Sequence, residues 1–196
     1  MSVETPITAD KATLRSLFSE KRARLSDSEI THLSQVICAQ ILAQLPALPI
    51  SIHLFLPLKR AHEVDLFPLL DALWHRGDCV YVPRVTNKRL DHIQITPQTI
   101  IKENHWGIPE PLQKYPPAET AQINNISHVI TPLLVCDKQG FRVGYGGGFY
   151  DAFFQDYPHF EKIGVGFFPP ISKITDTFEG DIALDKYITP EKITVF

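Results

Sequence analysis

The residues best suited to chemistry lie in one short stretch, Gly140 to Asp151, which reads GFRVGYGGGFYD. Four of the chain's ten glycines fall within positions 144–148, with Arg142 before them and Asp151 after them. Glycine lets backbone N–H groups approach an anion closely, and arginine supplies a permanent planar cation for phosphate oxygens. A carboxylate such as that of Asp151 suits Mg²⁺, a hard cation that prefers oxygen ligands. The stretch therefore predicts a site for a phosphate group and a magnesium ion.

The elements on either side of this glycine loop would hold it in place. The apolar run Val129 to Val135 predicts a buried strand before it, and the aromatic-rich segment Phe149 to Tyr157 predicts a helix after it. The start of such a helix offers partial positive charge and unpaired N–H donors to an anion. Two common phosphate loops are excluded, because Phe149 and Tyr150 stand where a P-loop has Lys and Ser or Thr, and Phe149 replaces the third glycine of the dinucleotide-binding fingerprint. A plain turn without a ligand is the alternative, but it would need neither the arginine nor the aspartate.

The rest of the chain alternates between helical and extended patterns. Amphipathic spacing and a capping box at Ser26 and Glu29 predict helices over residues 10–25, 26–45 and 63–76. Short apolar runs predict strands over residues 50–56, 79–82, 91–95 and 163–168, and the Pro-rich stretch 97–117 is expected to be surface loop. This alternation predicts an α/β fold, a single domain over residues 1–196 with a mainly parallel central sheet flanked by helices.

Composition excludes several classes of protein. The chain is 44% hydrophobic and 21% charged, as globular domains are, and its net charge of −3 lacks the basic clusters of a nucleic-acid-binding surface. No apolar run approaches the roughly 20 residues of a membrane span, and residues 1–10 do not resemble a secretory signal. Three scattered cysteines, Cys38, Cys79 and Cys136, are expected to be reduced and buried. We expect a cytoplasmic monomer that binds small molecules and contacts neither nucleic acid nor membrane.

The glycine loop is part of a longer pattern that resembles a known family. The stretch from Asp137 to Asp151 fits D-x-x-G-x-R-x-G-x-G-x-G-[FY]-Y-D, which resembles the signature of the 5-formyltetrahydrofolate cyclo-ligases, also called 5,10-methenyltetrahydrofolate synthetases. Further segments agree with that family in the same order, namely Lys11 to Arg15 with Arg22, Phe55 to Pro57 followed by Glu63 to Asp65, Val82 to Arg84, Gly107 to Pro111, and Asp181 to Asp185. The resemblance covers nearly the whole chain.

The resemblance implies a reaction and a set of site residues. The reaction is the conversion of 5-formyltetrahydrofolate to 5,10-methenyltetrahydrofolate, with ATP as co-substrate, Mg²⁺ as cofactor, and ADP and phosphate as products. ATP would be bound by Lys11, Arg15, Arg142, Gly144, Tyr145, Gly146, Gly147, Gly148, Phe149 and Tyr150, of which Arg142 and Tyr150 would act in catalysis. The reduced folate would be bound by Glu63, Tyr145, Gly146, Gly147, Gly148 and Phe149, and Mg²⁺ by Asp151 and Asp181.

The residues taken alone allow plainer interpretations of the same positions. Lys11 and Arg15 are one helical turn apart and could form a solvated surface, and Glu63 or Asp151 could simply favour a helix start. Arg84 could pair with a phosphate or with a carboxylate. The aromatic side chains could stack on a flat ring or form a pocket wall, which applies to Trp106, Tyr145, Phe149 and Tyr150.

Two other functions fit parts of the pattern. One is a sugar-phosphate isomerase or a CoA-transferase-like enzyme on a related α/β scaffold, which would need a positioned carboxylate but no ATP. The other is a non-catalytic module that binds folate or a nucleotide. The glycine loop with Arg142 and Asp151 favours a nucleotide over the first, and the intact set of Lys11, Glu63, Arg142 and Asp151 favours catalysis over the second.

Overall fold

A computed structural model describes residues 7–86 and 89–196. The α-helices of these residues are α1 (Lys11–Ala23), α2 (Asp27–Gln44), α3 (Phe67–Arg76), α4 (Thr120–Asn124) and α5 (Phe149–Asp156), with a short 3₁₀ helix at Lys59–Ala61. The strands are β1 (Thr8–Ala9), β2 (Ser51–His53), β3 (Cys79–Thr86), β4 (Arg89–Ile95), β5 (Ile101–Glu103), β6 (Pro109–Pro111), β7 (Ile126–Pro132), β8 (Val135–Cys136), β9 (Arg142–Val143), β10 (Glu161–Val165), β11 (Lys173–Ile174), β12 (Lys186–Ile188) and β13 (Ile193–Val195).

Seven of these strands form the central sheet, in the order β13-β12-β10-β7-β2-β3-β4. The five inner strands run parallel, and the edge strands β13 and β4 are antiparallel to their neighbours. The predicted α/β fold with a mainly parallel sheet and flanking helices is confirmed.

The strand order reverses between β2 and β7. From β2 the chain continues outward to β3 and β4, whereas from β7 it continues in the other direction to β10 and β12. In open α/β sheets, ligands bind in the crevice that such a reversal leaves at the carboxyl ends of the strands. The topology therefore places a binding crevice beyond His53 of β2 and Pro132 of β7.

Helices cover both faces of the sheet. Successive side chains of a strand point to opposite sides, so each face has apolar side chains that a helix can bury. On one face, Ile52, Val80 and Ile130 pack with apolar residues of α2 and α3. On the other face, Tyr81 and Val129 pack with apolar residues of α4 and α5. Helix α1 lies apart from these layers and packs on the strand pairs β8–β9 and β1–β11 through Leu14, Phe18, Val135, Val143 and Ile174.

The sequence predicts the start of α2 correctly but not the start of α3. The capping box of Ser26 and Glu29 opens α2 as predicted. Helix α3, in contrast, begins at Phe67 and not at Glu63, so the predicted start was wrong by four residues. Pro68 explains the difference, because proline fits the first turn of a helix but disrupts its interior.

Other boundaries also differ from the sequence-based predictions. The stretch 97–117, expected to be loop, contains the β5–β6 hairpin. Strand β2 ends at His53, short of the predicted Leu56, and β7 ends at Pro132, short of the predicted Val135. Cys38 and Cys136 are buried thiols as expected, but Cys79 is exposed. Among the described residues, no helix has both the length and the hydropathy needed to cross a bilayer.

Candidate active site

The glycine loop joins β9 to α5 and is open to solvent. Gly146 and Gly148 have φ angles of 94° and 67°, in the left-handed region that a side chain disfavours. Gly148 is the N-cap of α5 and offers no side-chain oxygen to the N–H groups of the first turn. These donors and the helix dipole therefore face the loop, as an anion site requires.

A buried aspartate anchors the chain that leads into the loop. Asp137 is fully buried, and its carboxylate accepts hydrogen bonds from the backbone N–H groups of Gln139 (2.9 Å), Phe141 (3.1 Å) and Ile174 (3.0 Å). These hydrogen bonds fix the turn to β11. They therefore also fix the backbone position of Arg142, which directly follows Phe141.

Arg142 is held by two groups at the edge of the loop. Its Nη1 donates to the carbonyl oxygen of Ile182 at 2.6 Å, and its Nη2 donates to Oδ1 of Asp151 at 2.8 Å. Burial lowers the pKa of Arg142, and the carboxylate of Asp151 acts in the opposite direction. The guanidinium is thus a pre-oriented cation rather than a mobile surface charge.

The two candidate metal ligands are connected through the chain segment that carries Asp181. Oδ1 of Asp151 also accepts from the backbone N–H of Ile182, the residue after Asp181, at 3.0 Å. Nζ of Lys11 donates to both carboxylate oxygens of Asp181, at 2.5 and 2.6 Å. The structure therefore brings Lys11 and Asp181, which are distant in the sequence, to the edge of the glycine loop that carries Arg142 and Asp151.

These two carboxylates fit the way proteins bind Mg²⁺. No group of three His, Cys, Asp or Glu side chains within residues 7–86 and 89–196 could hold a metal ion on its own. Mg²⁺ is commonly bound by one or two carboxylates, with phosphate oxygens and water completing its coordination. Asp151 and Asp181 match that donor set, and the remaining ligands would come with a nucleotide.

Helix α1 contributes three basic side chains on one face, Lys11, Arg15 and Arg22. Arg15 and Arg22 follow Lys11 by four and eleven residues. With about 3.6 residues per helical turn, the three side chains lie within about 40° of each other around the helix axis. Nε of Arg15 donates to the carbonyl oxygen of Gly144 at 2.9 Å. Lys11 and Arg15 therefore contact the site, and the alternative of a purely solvated helix surface is wrong.

Glu63 lies in a buried crevice beside the loop. Its Oε1 accepts from the hydroxyl of Tyr145 at 2.9 Å, and its Oε2 accepts from the backbone N–H of Leu58 at 2.7 Å. Burial raises the pKa of Glu63. The crevice lies at the carboxyl ends of β2, β7 and β10, where the strand order reverses, and its walls are Arg22, Phe55, Glu63, Val64, Pro132, Leu133, Leu134, Val165, Gly166, Phe167 and Phe168. Glu63 precedes α3, so it does not act as a helix-start carboxylate.

Two aromatic residues of the loop are placed differently. The hydroxyl of Tyr150 is buried and has no hydrogen-bond partner among the described residues. Burial raises the pKa of Tyr150, which keeps the hydroxyl protonated as a donor. The ring of Phe149 lies over Gly147, where a Cβ would be only 2.7 Å from it. A buried donor without a partner is costly, so Tyr150 is suited to a ligand.

Two other predicted candidates lie away from this cluster. Arg84 is almost fully buried, pairs with Asp91 at 3.1 Å and donates to the carbonyl oxygens of Leu112 and Tyr115, so its partner is a carboxylate. Trp106 is half exposed at the turn between β5 and β6. Neither residue contributes to the arrangement around the glycine loop.

Sequence reasoning missed two residues of the site. Asp137 stands only as a letter of the signature, and Arg22 only in the N-terminal segment that agrees with the family. Their signals were weak but present. Asp137 is followed by a glycine three residues later, which is typical of a turn, and Arg22 has helical spacing from Lys11 and Arg15.

The fold matches two solved structures over nearly the whole chain. A 5,10-methenyltetrahydrofolate synthetase from Aquifex aeolicus superposes with a TM-score of 0.77 at 24% identity, covering 94% of this chain and 92% of that one. A 5,10-methenyltetrahydrofolate synthetase from Mycoplasma pneumoniae superposes with a TM-score of 0.69 at 24% identity, covering 92% of this chain and 99% of that one. At this level of identity the two likenesses show the shared fold.

Sequence comparison adds the family. A 5-formyltetrahydrofolate cyclo-ligase from Escherichia coli is 32% identical over 136 residues, 67% of this chain and 74% of that protein. One from Haemophilus influenzae is 35% identical over 107 residues, 53% of this chain and 56% of that protein. The sequence model of the 5-formyltetrahydrofolate cyclo-ligase family matches residues 7–174, which confirms the resemblance found in the motifs. The chain therefore belongs to the 5-formyltetrahydrofolate cyclo-ligase family of enzymes.

Proposed function

We propose that this protein uses ATP and Mg²⁺ to convert 5-formyltetrahydrofolate to 5,10-methenyltetrahydrofolate, releasing ADP and phosphate. One observation carries the proposal. Tyr145 belongs to the glycine loop, and its hydroxyl donates to Glu63 in the buried crevice. In this proposal, Tyr145 would connect a phosphate site in the loop to a carboxylate suited to a heterocyclic N–H donor, as a reaction between a nucleotide and a folate requires.

The chemistry accounts for the need for ATP. The formamide oxygen of 5-formyltetrahydrofolate is a poor leaving group. Transfer of the γ-phosphoryl group of ATP to that oxygen gives an activated imidate phosphate and ADP. N10 of the folate then attacks the activated carbon and loses its proton, the ring closes, and phosphate departs with the former formyl oxygen to leave the methenyl cation. Neither step needs a covalent nucleophile from the protein.

Phosphoryl transfer depends mainly on positioning and on charge neutralisation. The backbone N–H groups of residues 144–148 and the start of α5 would bind the phosphates, with Lys11, Arg15 and Arg142 as the neutralising cations. The buried hydroxyl of Tyr150 would donate to an oxygen of the reacting group. Asp151 and Asp181 would hold Mg²⁺, which supplies charge stabilisation on the phosphate oxygens when bound.

Glu63 is proposed to orient the reduced pterin. A carboxylate is acceptor-only when ionised, and the pterin ring presents amide and amino N–H donors on one edge. The apolar side chains around Glu63 would exclude water from the ring. Tyr145, Phe149 and the glycines at 146–148 would lie between this ring and the nucleotide. That the enzyme works as a cytoplasmic monomer stays a prediction, and sedimentation of the purified protein would test the monomer.

The test is a turnover assay on the purified protein with 5-formyltetrahydrofolate, ATP and Mg²⁺, following the near-ultraviolet absorbance of the methenyl product. We expect a rise that disappears when ATP is omitted or the metal is chelated. Glu63→Gln should abolish most of the rate, and Glu103→Gln, the same change on the exposed strand β5, should not.

Other outcomes would point to the other functions. Absence of product from folded protein that binds both ATP and folate would indicate a non-catalytic binding module. Absence of binding to either ligand would overturn the proposal and leave an isomerase or a CoA-transferase-like enzyme to be tested with their own substrates.

A further inference from the structure

Arg22, in the last turn of α1, is a basic residue with almost no solvent exposure. Only 5% of its surface is accessible. Its Nη1 donates to the carbonyl oxygen of Leu133 at 3.3 Å, and its Nη2 donates to the hydroxyl of Tyr145. Its guanidinium carbon also lies 5.7 Å from the centre of the Tyr145 ring. A buried guanidinium is costly unless a charge or several acceptors compensate it, so this placement calls for a reason.

The compensating charge is Glu63, reached through Tyr145. The Tyr145 hydroxyl accepts from Arg22 and donates to Oε1 of Glu63 at 2.9 Å, so the three side chains form one relay. Arg22 and Glu63 line the same crevice. Nε of Arg22 is buried and lacks a hydrogen-bond partner within the described part of the chain, so one donor is left over for a molecule in the crevice.

We propose that Arg22 is a positioning residue of the folate site, which keeps Glu63 ionised and holds the Tyr145 hydroxyl against it. This role rests on the proposed function, in which Glu63 accepts hydrogen bonds from the pterin. A protonated Glu63 would lose acceptor capacity and place a donor against the donors of the pterin. Arg22 therefore acts on the folate through Glu63 rather than by contact with the reacting atoms.

The groups around Glu63 set the sign of the effect. Burial raises the pKa of Glu63, whereas the Leu58 N–H, the charge of Arg22 and the Tyr145 hydroxyl lower it. On α5, burial and then the charge of Glu63 raise the pKa of Tyr150, so its hydroxyl is neutral. His62 precedes Glu63 in the chain, and its Nδ1 lies 3.2 Å from the backbone oxygen of Arg22. Loss of the charge of Arg22 removes one of the lowering influences, so the pKa of Glu63 rises further.

The test compares Arg22→Gln with Arg22→Lys and with Arg24→Gln, an equal loss of charge at an exposed position two residues away. Two quantities are measured from about pH 5 to about pH 8, a span that covers an upward-shifted carboxyl group. One is the ¹³C carboxyl shift of Glu63 in the ligand-free protein, and the other is the dissociation constant of 5-formyltetrahydrofolate.

For Arg22→Gln we expect the Glu63 titration to move to higher pH, and folate binding near neutral pH to weaken by roughly tenfold, as expected when a charge-assisted hydrogen bond is lost. Arg22→Lys should restore the Glu63 titration but only part of the affinity, because lysine supplies the charge without the planar fork. Arg24→Gln should match the wild type in both measurements.

An unchanged Glu63 titration in folded Arg22→Gln protein would overturn the proposal even if the wild type turns folate over. If Arg22→Gln does not fold, Tyr145→Phe at the half-exposed loop position replaces it, because it breaks the same relay. The titration should then move in the same direction, and no movement would overturn the proposal. Wild-type protein that does not bind folate would instead refute the proposed function, whereas the Glu63 titration is read without any ligand.

Discussion

At the scale of single residues, four charges of the candidate nucleotide site form two pairs of opposite sign. Asp151 is paired with Arg142, and Asp181 with Lys11. The pairs hold both carboxylates near the glycine loop before any ligand is present. When a nucleotide and Mg²⁺ bind, the phosphates would replace the carboxylates as partners of Arg142 and Lys11. The metal ion would replace these cations as the partner of Asp151 and Asp181. Little reorganisation of the protein is then needed, which favours catalysis by positioning.

Asp151→Asn tests the metal-binding role at this scale. Asparagine keeps an oxygen that can accept from Arg142 and from the N–H of Ile182, so the local fold should be retained. The loss of charge should raise the Mg²⁺ concentration needed for half-maximal turnover by roughly tenfold or more, since Mg²⁺ prefers charged oxygen ligands. The control is Asp156→Asn, at the exposed end of the same helix. Identical Mg²⁺ titrations for the two variants would remove Asp151 from the metal site.

At the scale of elements, short turns decide where the functional residues stand. The turn from Asp137 to Gly140 reverses the chain between β8 and β9 and so delivers Arg142 to the loop. Gly140 has a φ of 85°, and a Cβ there would lie 2.9 Å from the carbonyl oxygen of Leu184 and 3.0 Å from the ring of Phe196. Backbone conformation and packing therefore both require glycine at this position.

Gly140→Ala should lower the free energy of unfolding by about 2–4 kcal/mol, the sum of left-handed backbone strain and overpacking against Leu184 and Phe196. Urea unfolding, followed by circular dichroism, measures the change. Gly144→Ala serves as the comparison, because a Cβ at Gly144 meets no atom within 4 Å, and its stability should stay near that of the wild type. Equal unfolding midpoints for both variants would contradict the account of the turn.

At the scale of the whole molecule, the layer between the sheet and α5 contains a buried histidine pair. Nε2 of His53 lies 3.2 Å from Nδ1 of His92, and the His92 ring stacks on Phe153 at 4.0 Å. Burial is the largest cause lowering the pKa of both residues, and it lowers the pKa of His92 from 6.5 to about 4. Both rings are therefore neutral parts of the core at neutral pH, packed behind the helix that carries Tyr150 and Asp151.

This pair makes stability depend on pH. Between about pH 4 and pH 6.5 the native state binds fewer protons at His92 than the unfolded chain does, so stability is lost as the pH falls through this window. A depression of this size corresponds to about 3 kcal/mol for His92 alone. Glu63, whose pKa is raised, acts in the opposite direction, because the native state takes up its proton more readily.

We expect His92→Gln to flatten the fall of the unfolding free energy between neutral and acidic pH. Glutamine cannot titrate, so the variant can be less stable at neutral pH and still lose less on acidification. The exposed His75→Gln change on α3 is the control and should retain the wild-type slope. Denaturant unfolding at a series of pH values measures these slopes, and a wild-type slope for His92→Gln would show that the pair does not carry the effect.

The local features of this protein were determined by the sequence alone. Capping at Ser26 opens α2, and Gly148 marks the start of α5. The alternation of helix and strand gave the α/β class, and the glycine loop with Arg142 and Asp151 indicated a phosphate site. These features follow from backbone preferences and hydrophobic spacing within a few residues, which are properties that a linear sequence displays directly.

The tertiary structure alone decided which distant residues meet. Tyr145 reaches Glu63 across 82 positions, Arg22 reaches Tyr145 across 123, and Lys11 reaches Asp181 across 170. The predicted helix start at Glu63 was also wrong because of a long-range contact. Glu63 lines the crevice, and α3 begins only at Phe67. Such contacts depend on the pairing of β2 with β7, on strand register and on the packing of α1 against the strand pairs beside the sheet. These are long-range terms, and periodicity within a short window carries no information about them.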